Sequence, residues 1–290
     1  MRNLTKDNIT ATVQASFDAL PTARQRALLK SLVAHLHAFA SETALTHAEW
    51  RAGLEFLHSA ARMTTDTRSE FSLMSDVFGL SSMVDLTASR PGATEGSVLG
   101  PFHARGSPRM ASGANLIGAN AGQVVVLRGS VSDAEGNPIR GATVDFWQNA
   151  DNGLYWQQDS NQSQDNLRCL MTVEADGRFE LATIRPRPYA VPDDGPVGAL
   201  MRVAQRNTMR PAHFHLIIEA TGYTSIVTEM FDPDDPYLDN DAVFGVRESL
   251  VVRYTVEADP AVAGRYGLSG SYLSASLNVR LTPVGTSLSG

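Results

Sequence analysis

The spacing of apolar residues changes near residue 95, and that switch restricts the fold more than any other feature of the chain. Before it, Leu28, Leu29, Leu32, Val33, Leu36 and Phe39 recur at spacings of three, four or one, which draws an apolar stripe along a helix. Thr46-His-Ala-Glu49 is a capping box, so a second helix is predicted to start near Thr46, with Trp50, Leu54, Leu57 and Ala61 on its buried face. Thr67-Arg-Ser-Glu70 gives the same signal for a third helix carrying Phe71, Leu73, Val77 and Phe78. Arg90-Pro91-Gly92 ends the helical pattern.

After residue 120 the period shortens to that of strands. Val124 to Val131 and Thr143 to Trp147 read as strands around a run of turn formers, Asp133-Ala-Glu-Gly-Asn-Pro138. Asp176-Gly177 signals a hairpin between Leu170–Val173 and Phe179–Thr183. Further strands fit His213–Glu219, Ser225–Met230 and Leu250–Val256. Many short strands with turns between them predict a mainly β protein, an antiparallel sandwich over residues 96–290 behind a helical domain over residues 1–95. The tail LTPVGTSLSG is expected to be loosely ordered.

Composition narrows the task. Of 290 residues, 43% are hydrophobic and 19% charged, which suits a sizeable core and not a disordered chain. Lys and Arg number 24 and Asp and Glu 31, a formal charge of −7, which argues against nucleic-acid backbone binding. Cys169 is the single cysteine, so no disulfide forms within the chain and a reducing cytoplasm is expected. The opening MRNLTKDNIT has no apolar signal core and no long uncharged apolar run follows, so no membrane span is expected.

The candidate chemistry sits in the strand-rich half. His35 and His37 lie two apart in a predicted helix, where that spacing turns about 200° and separates the rings. His47, His58 and His103 have no chelating neighbour in sequence and read as ordinary histidines. His213 and His215 bracket Phe214 in an apolar strand, so both imidazoles share one face while Phe214 takes the other. That arrangement suits two adjacent ligands on one metal, or equally a polar core pair. Further ligands must come from elsewhere. The acidic cluster Asp232-Pro-Asp-Asp-Pro-Tyr237 reads as a solvated loop. Tyr155 follows the Asn152-Gly153 turn and Tyr189 follows the stiff Arg185-Pro-Arg-Pro188; an isolated tyrosine is more often an amphipathic core residue than a ligand.

Taken together, Asn-Ala-Asp-Asn-Gly-Leu-Tyr155, Arg-Pro-Arg-Pro-Tyr189 and Arg210-Pro-Ala-His213-Phe-His215 resemble the intradiol ring-cleaving dioxygenases of catechols. Gly-Ala-Thr-Glu-Gly-Ser-Val-Leu-Gly-Pro-Phe102 fits that family too. The stretch SLVAHLHAFA, the segment Thr46-His-Ala-Glu-Trp50 and Asp235-Pro-Tyr-Leu-Asp-Asn-Asp-Ala-Val-Phe-Gly245 are similar to its hydroxyquinol-cleaving branch. The resemblance runs from about residue 2 to about residue 256.

The resemblance implies one mononuclear non-haem Fe(III) per chain, held by Tyr155, Tyr189, His213 and His215. A phenol ionises near pH 10, so a strongly charged cation is needed to keep it ionised at neutral pH. Two anionic oxygens in turn favour ferric over ferrous iron. By the same resemblance the diol binds through both oxygens, Tyr189 yields its place and acts as a base, and O₂ opens the ring between the two hydroxyl-bearing carbons. Arg210 is implied as the cation that steadies negative charge on the ring. The implied substrate wall is Leu73, Asp76, Val98, Leu99, Gly100, Pro101, Phe102, Val191, Pro192, Arg210 and Val243. Asp76 offers an acceptor to a third ring hydroxyl, which points to hydroxyquinol (benzene-1,2,4-triol) rather than catechol, with 3-hydroxy-cis,cis-muconate or its tautomer maleylacetate as product.

Two stretches depart from the family. Leu99 stands where relatives often carry an aromatic residue, and residues 227–233 differ near the expected metal surroundings, so Glu229 is left out of the site. The resemblance also implies a homodimer through the N-terminal helices, with a phospholipid as a candidate guest at the interface. Two other readings stay open: a catechol or chlorocatechol 1,2-dioxygenase, and a non-catalytic sandwich module.

Overall fold

The computed structural model describes residues 2–285. The chain forms two compact units, Met1–His58 and Ser59–Gly290. The first holds α1 (Ile9–Ala15), α2 (Ala23–Glu42) and most of α3 (His47–Met63), which carries the chain into the second. A capping box with Gln in place of Glu starts α2: Thr22 Oγ1 accepts from Gln25 N and Gln25 Oε1 accepts from Thr22 N. The predicted box at Thr46 and Glu49 forms and starts α3. The predicted buried face of α3 does not: Trp50, Leu54, Leu57 and Ala61 are exposed, and Ala60 is the buried residue of that helix. On α2, Leu28, Leu32, Leu36 and Phe39 are each half exposed or more. A stripe is buried only where a second apolar surface meets it, and among the described residues none covers these side chains.

In the second unit α4 (Glu70–Val77) is capped by Ser69, whose Oγ accepts from Ser72 N, and not by Thr67 as expected. Its Leu73 and Val77 are buried, whereas Phe71 and Phe78 are exposed. Gly79, at φ +72°, turns the chain into α5 (Leu80–Ala88), a helix that the sequence pattern does not announce. The strands are β1 (Arg109–Met110), β2 (Ala114–Asn115), β3 (Val124–Ser132), β4 (Thr143–Trp147), β5 (Arg168–Thr172), β6 (Arg178–Ile184) and β7 (Tyr189–Ala190). After α6 (Pro196–Val203) follow β8 (Met209–Arg210), β9 (His213–Glu219), β10 (Ile226–Phe231) and β11 (Thr255–Glu257), then α7 (Pro260–Tyr266) and β12 (Tyr272–Arg280).

One sheet runs β1-β5-β4-β9-β10, a second β11-β12-β3-β6-β2, and β7 pairs with β8. The sandwich is mixed, not purely antiparallel, because β1 with β5, β12 with β3 and β2 with β6 pair in parallel. The turn at Asp176-Gly177 forms, but β5 and β6 lie in different sheets, so it carries the chain across the sandwich instead of closing a hairpin. A side chain at Gly177 would come within 2.6 Å of Val131 O. The expected strand Leu250–Val256 is instead a short 3-10 turn, Glu248–Leu250, a single bridge from Val251 to Phe231, and the strand Thr255–Glu257. Between the sheets lie Val125, Leu127, Phe146, Leu181, Phe214, Leu216 and Ile218. The tail expected to be loose is tied down as far as Val284: Leu281 N donates to Ser132 O, Thr224 N to Thr282 O and Val284 N to Gly222 O. Residues 286–290 lie outside the described residues.

Candidate metal centre

Strand alternation builds the floor of the site. Phe214 turns into the core and packs on Phe146 at 5.7 Å between ring centroids, so His213 and His215 project from the other face of β9. Register then sets their neighbours: Trp147 on β4 and Glu229 on β10 both lie opposite His215, and Phe231 lies opposite His213. Trp147 stacks on His215 with centroids 4.7 Å apart and planes 4° apart, which fixes the imidazole plane.

Two loops close the site from above. The turn at Gly153, φ +80°, sets up Tyr155, with Ala150 N donating to Leu154 O at 2.9 Å. Asn149 ties this loop to the other tyrosine segment, donating from Nδ2 to Arg187 O at 2.8 Å and accepting from Arg187 N at 3.1 Å. Tyr189 begins β7 and pairs directly with Arg210 on β8. The four rings form one cluster: Tyr155 and Tyr189 are 5.2 Å apart, Tyr189 and His213 5.6 Å, His213 and His215 4.5 Å, and Tyr155 and His215 6.2 Å. All four residues are buried.

The polar atoms of this cluster have the signature of a metal site. The two Nε2 atoms are 3.0 Å apart, about the separation of adjacent nitrogens on an ion that binds each at about 2.1 Å. His213 Nδ1 donates to Pro211 O at 2.6 Å, so Nε2 is the nitrogen that carries the lone pair. Burial, and the Arg210 charge beside His213, hold both imidazoles well below their usual pKa and therefore neutral. Both tyrosine hydroxyls are buried without a hydrogen-bond partner, an arrangement that costs free energy unless another group meets them. Burial pushes both phenols above their usual pKa, with Tyr189 adding to the effect on Tyr155 and Arg210 opposing it on Tyr189. Two neutral imidazoles and two unpartnered phenols suit a highly charged cation.

Arg210 is fully buried behind the imidazoles. It donates to both oxygens of Glu229 at 2.7 and 2.9 Å and to both oxygens of Asp241 at 3.1 and 3.2 Å. Its Nη1 also lies 3.2 Å from His213 Nε2. Glu229 Oε1 is 3.4 Å from His213 Nε2 and 3.3 Å from His215 Nδ1. Among the described residues, His213, His215 and Glu229 form the one group of three histidine, cysteine or acidic side chains close enough to share an ion. Glu229 was not expected here; the signal that could have found it is its place on β10, level with His215. Burial opposes its ionisation, but Arg210, His215 and Ser97 together hold its carboxyl below the usual range. Gly245 N donates to Asp241 at 2.9 Å, and a side chain there would meet Arg210 Nη2 at 2.7 Å.

The remaining predicted wall is distributed unevenly. Phe102 stacks on Tyr155 at 4.7 Å, and a side chain at Gly100 would touch His215 at 3.4 Å. Phe102, Val191 and Pro192 line a cavity of about 500 Å³ together with Thr65, Arg68 and Gln157. Asp76 is 3% exposed, one of its oxygens is unpartnered, and burial raises its pKa to about 6, with the Arg210 charge opposing. Leu73, Val98, Pro101 and Val243 are buried, but Leu99 is 38% exposed. The acidic cluster is not a solvated loop as a whole. Asp232 receives Arg185 and Asp235 receives Ala212 N at 2.9 Å, which anchors the entry to β9; of the three aspartates only Asp234 is well exposed. His103 is not an isolated surface group either, since it packs on Trp147 at 4.8 Å.

Residues 22–96 match the family described as catechol dioxygenase N terminus, and residues 100–275 match the dioxygenase family. A 6-chlorohydroxyquinol 1,2-dioxygenase of Cupriavidus pinatubonensis is 41% identical over 89% of this chain and 95% of its own length. A hydroxyquinol 1,2-dioxygenase of Rhizobium sp. is 38% identical over 86% of this chain and 85% of its own. The crystal structure of hydroxyquinol 1,2-dioxygenase from Pseudomonas putida DLL-E4 superposes with a TM-score of 0.80 at 39% identity, covering 96% of this chain and 98% of that one. These matches make the chain a ring-cleaving dioxygenase. More narrowly, the chain belongs to the intradiol ring-cleavage dioxygenases, a family of non-haem iron enzymes. The reading as a non-catalytic module falls away.

Proposed function

We propose that this enzyme cleaves hydroxyquinol with O₂ between the two adjacent hydroxyl-bearing carbons, giving 3-hydroxy-cis,cis-muconate or its tautomer maleylacetate. The observation that carries the reading is the pair of buried, unpartnered phenols, Tyr155 and Tyr189, beside two neutral imidazoles. In this reading Tyr155, Tyr189, His213 and His215 hold one ferric ion. When bound, the ion withdraws electron density from a chelated diol and makes its ring reactive toward O₂.

The chain's own groups do the rest. Tyr189 is the base: burial raises its pKa and the paired Arg210 only partly offsets this, so once ionised its oxygen readily takes the proton the diol gives up. Arg210, locked between two carboxylates, keeps a fixed positive charge against the reacting ring. Phe102, Val191 and Pro192 supply the apolar part of a cavity that Arg68, Gln157 and Asp194 also line. Leu73, Val98, Leu99, Gly100, Pro101 and Val243 complete the wall in the same proposal. Asp76 accepts the hydrogen bond of the third hydroxyl. A catechol leaves that carboxylate unpaired at a cost of about 1–3 kcal/mol, a preference of about 5- to 150-fold.

The same proposal assigns residues 1–95 to pairing with a second copy, with a phospholipid as a candidate guest at the helices, and residues 96–290 to the chemistry. It places the enzyme in the cytoplasm. Among the described residues no helix is long and apolar enough to cross a membrane. Product analysis with hydroxyquinol, catechol and chlorocatechols under O₂ tests the reading. The iron-loaded protein is expected to be wine-red from phenolate-to-iron charge transfer. Colourless protein that stays inactive after loading would end the proposal, as would equal rates on catechol and hydroxyquinol for the choice of substrate.

A further inference from the structure

We propose that Glu229 is the residue that holds the iron in its ferric state between turnovers. The inference rests on the ferric site proposed above and concerns a side chain outside its ligand set.

Charge is the deciding quantity. Arg210 is clamped by two carboxylates, Glu229 and Asp241, and all three are buried. One guanidinium cannot neutralise two carboxylates, so one negative charge stays in a region that water does not reach. The oxygen nearest the imidazoles belongs to Glu229: Oε1 lies 3.4 Å from His213 Nε2 and 3.3 Å from His215 Nδ1. Asp241 grips Arg210 through its Nε and Nη2, whereas Nη1, the nitrogen facing His213, goes to Glu229. A negative charge so placed and so poorly screened stabilises a trivalent ion more than a divalent one.

Hydrogen bonds already fix the Glu229 carboxylate in place. Each of its oxygens already accepts from Arg210, and Oε2 accepts from Ser97 Oγ as well. Ser97 and Gly245 fix the far side: Ser97 Oγ is 2.8 Å from Gly245 O, and a side chain at Gly245 would meet Glu229 Oε2 at 3.0 Å. The carboxylate is therefore packed against Arg210 as a counter-charge beside the imidazoles. A neutral amide of the same shape would keep the packing and lose the charge, which makes Glu229→Gln the informative change.

The test is a reductive titration of the iron-loaded, substrate-free enzyme, followed through the charge-transfer band. Glu229→Gln is expected to keep its iron and its colour, and to shift the ferric–ferrous equilibrium toward ferrous at least tenfold, a rise of about 59 mV. Ser97→Ala removes a donor from the same carboxylate and is expected to shift the equilibrium about threefold the other way, which keeps the test alive if Glu229→Gln does not fold. A Glu229→Gln potential within a factor of two of wild type overturns the inference. So does loss of iron in that variant, which would make Glu229 a ligand, and so does an equal shift in Asp241→Asn, which would make the effect one of total charge. A wild-type protein with no charge-transfer band refutes the ferric site itself, and that outcome is distinct from the others.

Discussion

Replacing Asp76 by asparagine should stabilise the protein, and by an amount that depends on pH. Asp76 lies on α4 with 3% of its surface exposed and one oxygen unpartnered. Burial raises its pKa from 3.8 to about 6. Below pH 3.8 the carboxyl is protonated in both folded and unfolded chains and costs nothing. As the pH rises from there to about 6, the unfolded chain ionises first, so the folded state loses ground. Above that window both states are ionised and the loss is complete, about 3 kcal/mol at about 1.36 kcal/mol per pKa unit. Asparagine never ionises. Its advantage over wild type should therefore be small at pH 4, about 0.5 kcal/mol, and nearly full by pH 7, where it amounts to roughly 5 °C or more in Tm. Thermal unfolding of both iron-loaded proteins from pH 4 to 8 measures it. Asp76→Ala, which unlike asparagine keeps no acceptor, should lose the preference for hydroxyquinol over catechol at pH 7. A Tm difference that is flat across the range would refute the account of a buried, strained carboxylate; an unchanged preference would refute its role toward the third hydroxyl.

Three further outcomes are expected. Gly245→Ala puts a methyl group 2.7 Å from Arg210 Nη2 and 3.1 Å from Asp241 Oδ2; it should destabilise the protein by about 1–3 kcal/mol, and an unchanged Tm would show that the clamp around Arg210 has room to move. Cys169 is buried, and burial pushes its thiol up to about 12; a thiol reagent at pH 8 should label it only as fast as the protein unfolds, so rapid labelling of native enzyme would contradict the packing of β5. Leu32→Glu places a charge in the exposed stripe of α2 and should turn a dimer into a monomer in gel filtration, whereas a wild type that already elutes as a monomer would remove the pairing proposal.

Local patterns in the sequence carry a good deal of this. The pairing of His213 and His215 on one face, with Phe214 behind them, follows from strand alternation alone and needs no knowledge of the rest of the fold. The capping box at Thr46 and the turn at Asp133–Pro138 are likewise contacts between residues a few positions apart, so their residue types suffice. Where the structure departs from the local pattern, the deciding contact is remote. The spacing of Leu54 and Leu57 predicts burial, yet burial depends on whether another surface arrives. Asp232 and Asp235 have the composition of a solvated loop, but Arg185 and the Ala212 amide reach them across the fold. The strand β12 gives little signal because its serines and alanine dilute the apolar alternation, although Leu277 and Val279 do pack inward.

What the sequence by itself determined is the chemistry on offer: two histidines on one strand face, one tyrosine after an Asn-Gly turn and one after a stiff proline stretch, and one arginine three residues ahead of the first histidine. Only the tertiary structure decided which of these meet, and with what charge between them. Glu229 stands level with His215 because β9 and β10 pair in one register, and shifting that register by one residue would turn it to the opposite face. Asp241 comes to Arg210 from a loop 31 residues further along the chain. Periodicity reports which side of an element a residue occupies. It carries no information about which distant element will be laid against it, and the electrostatics of this site depend on that second fact.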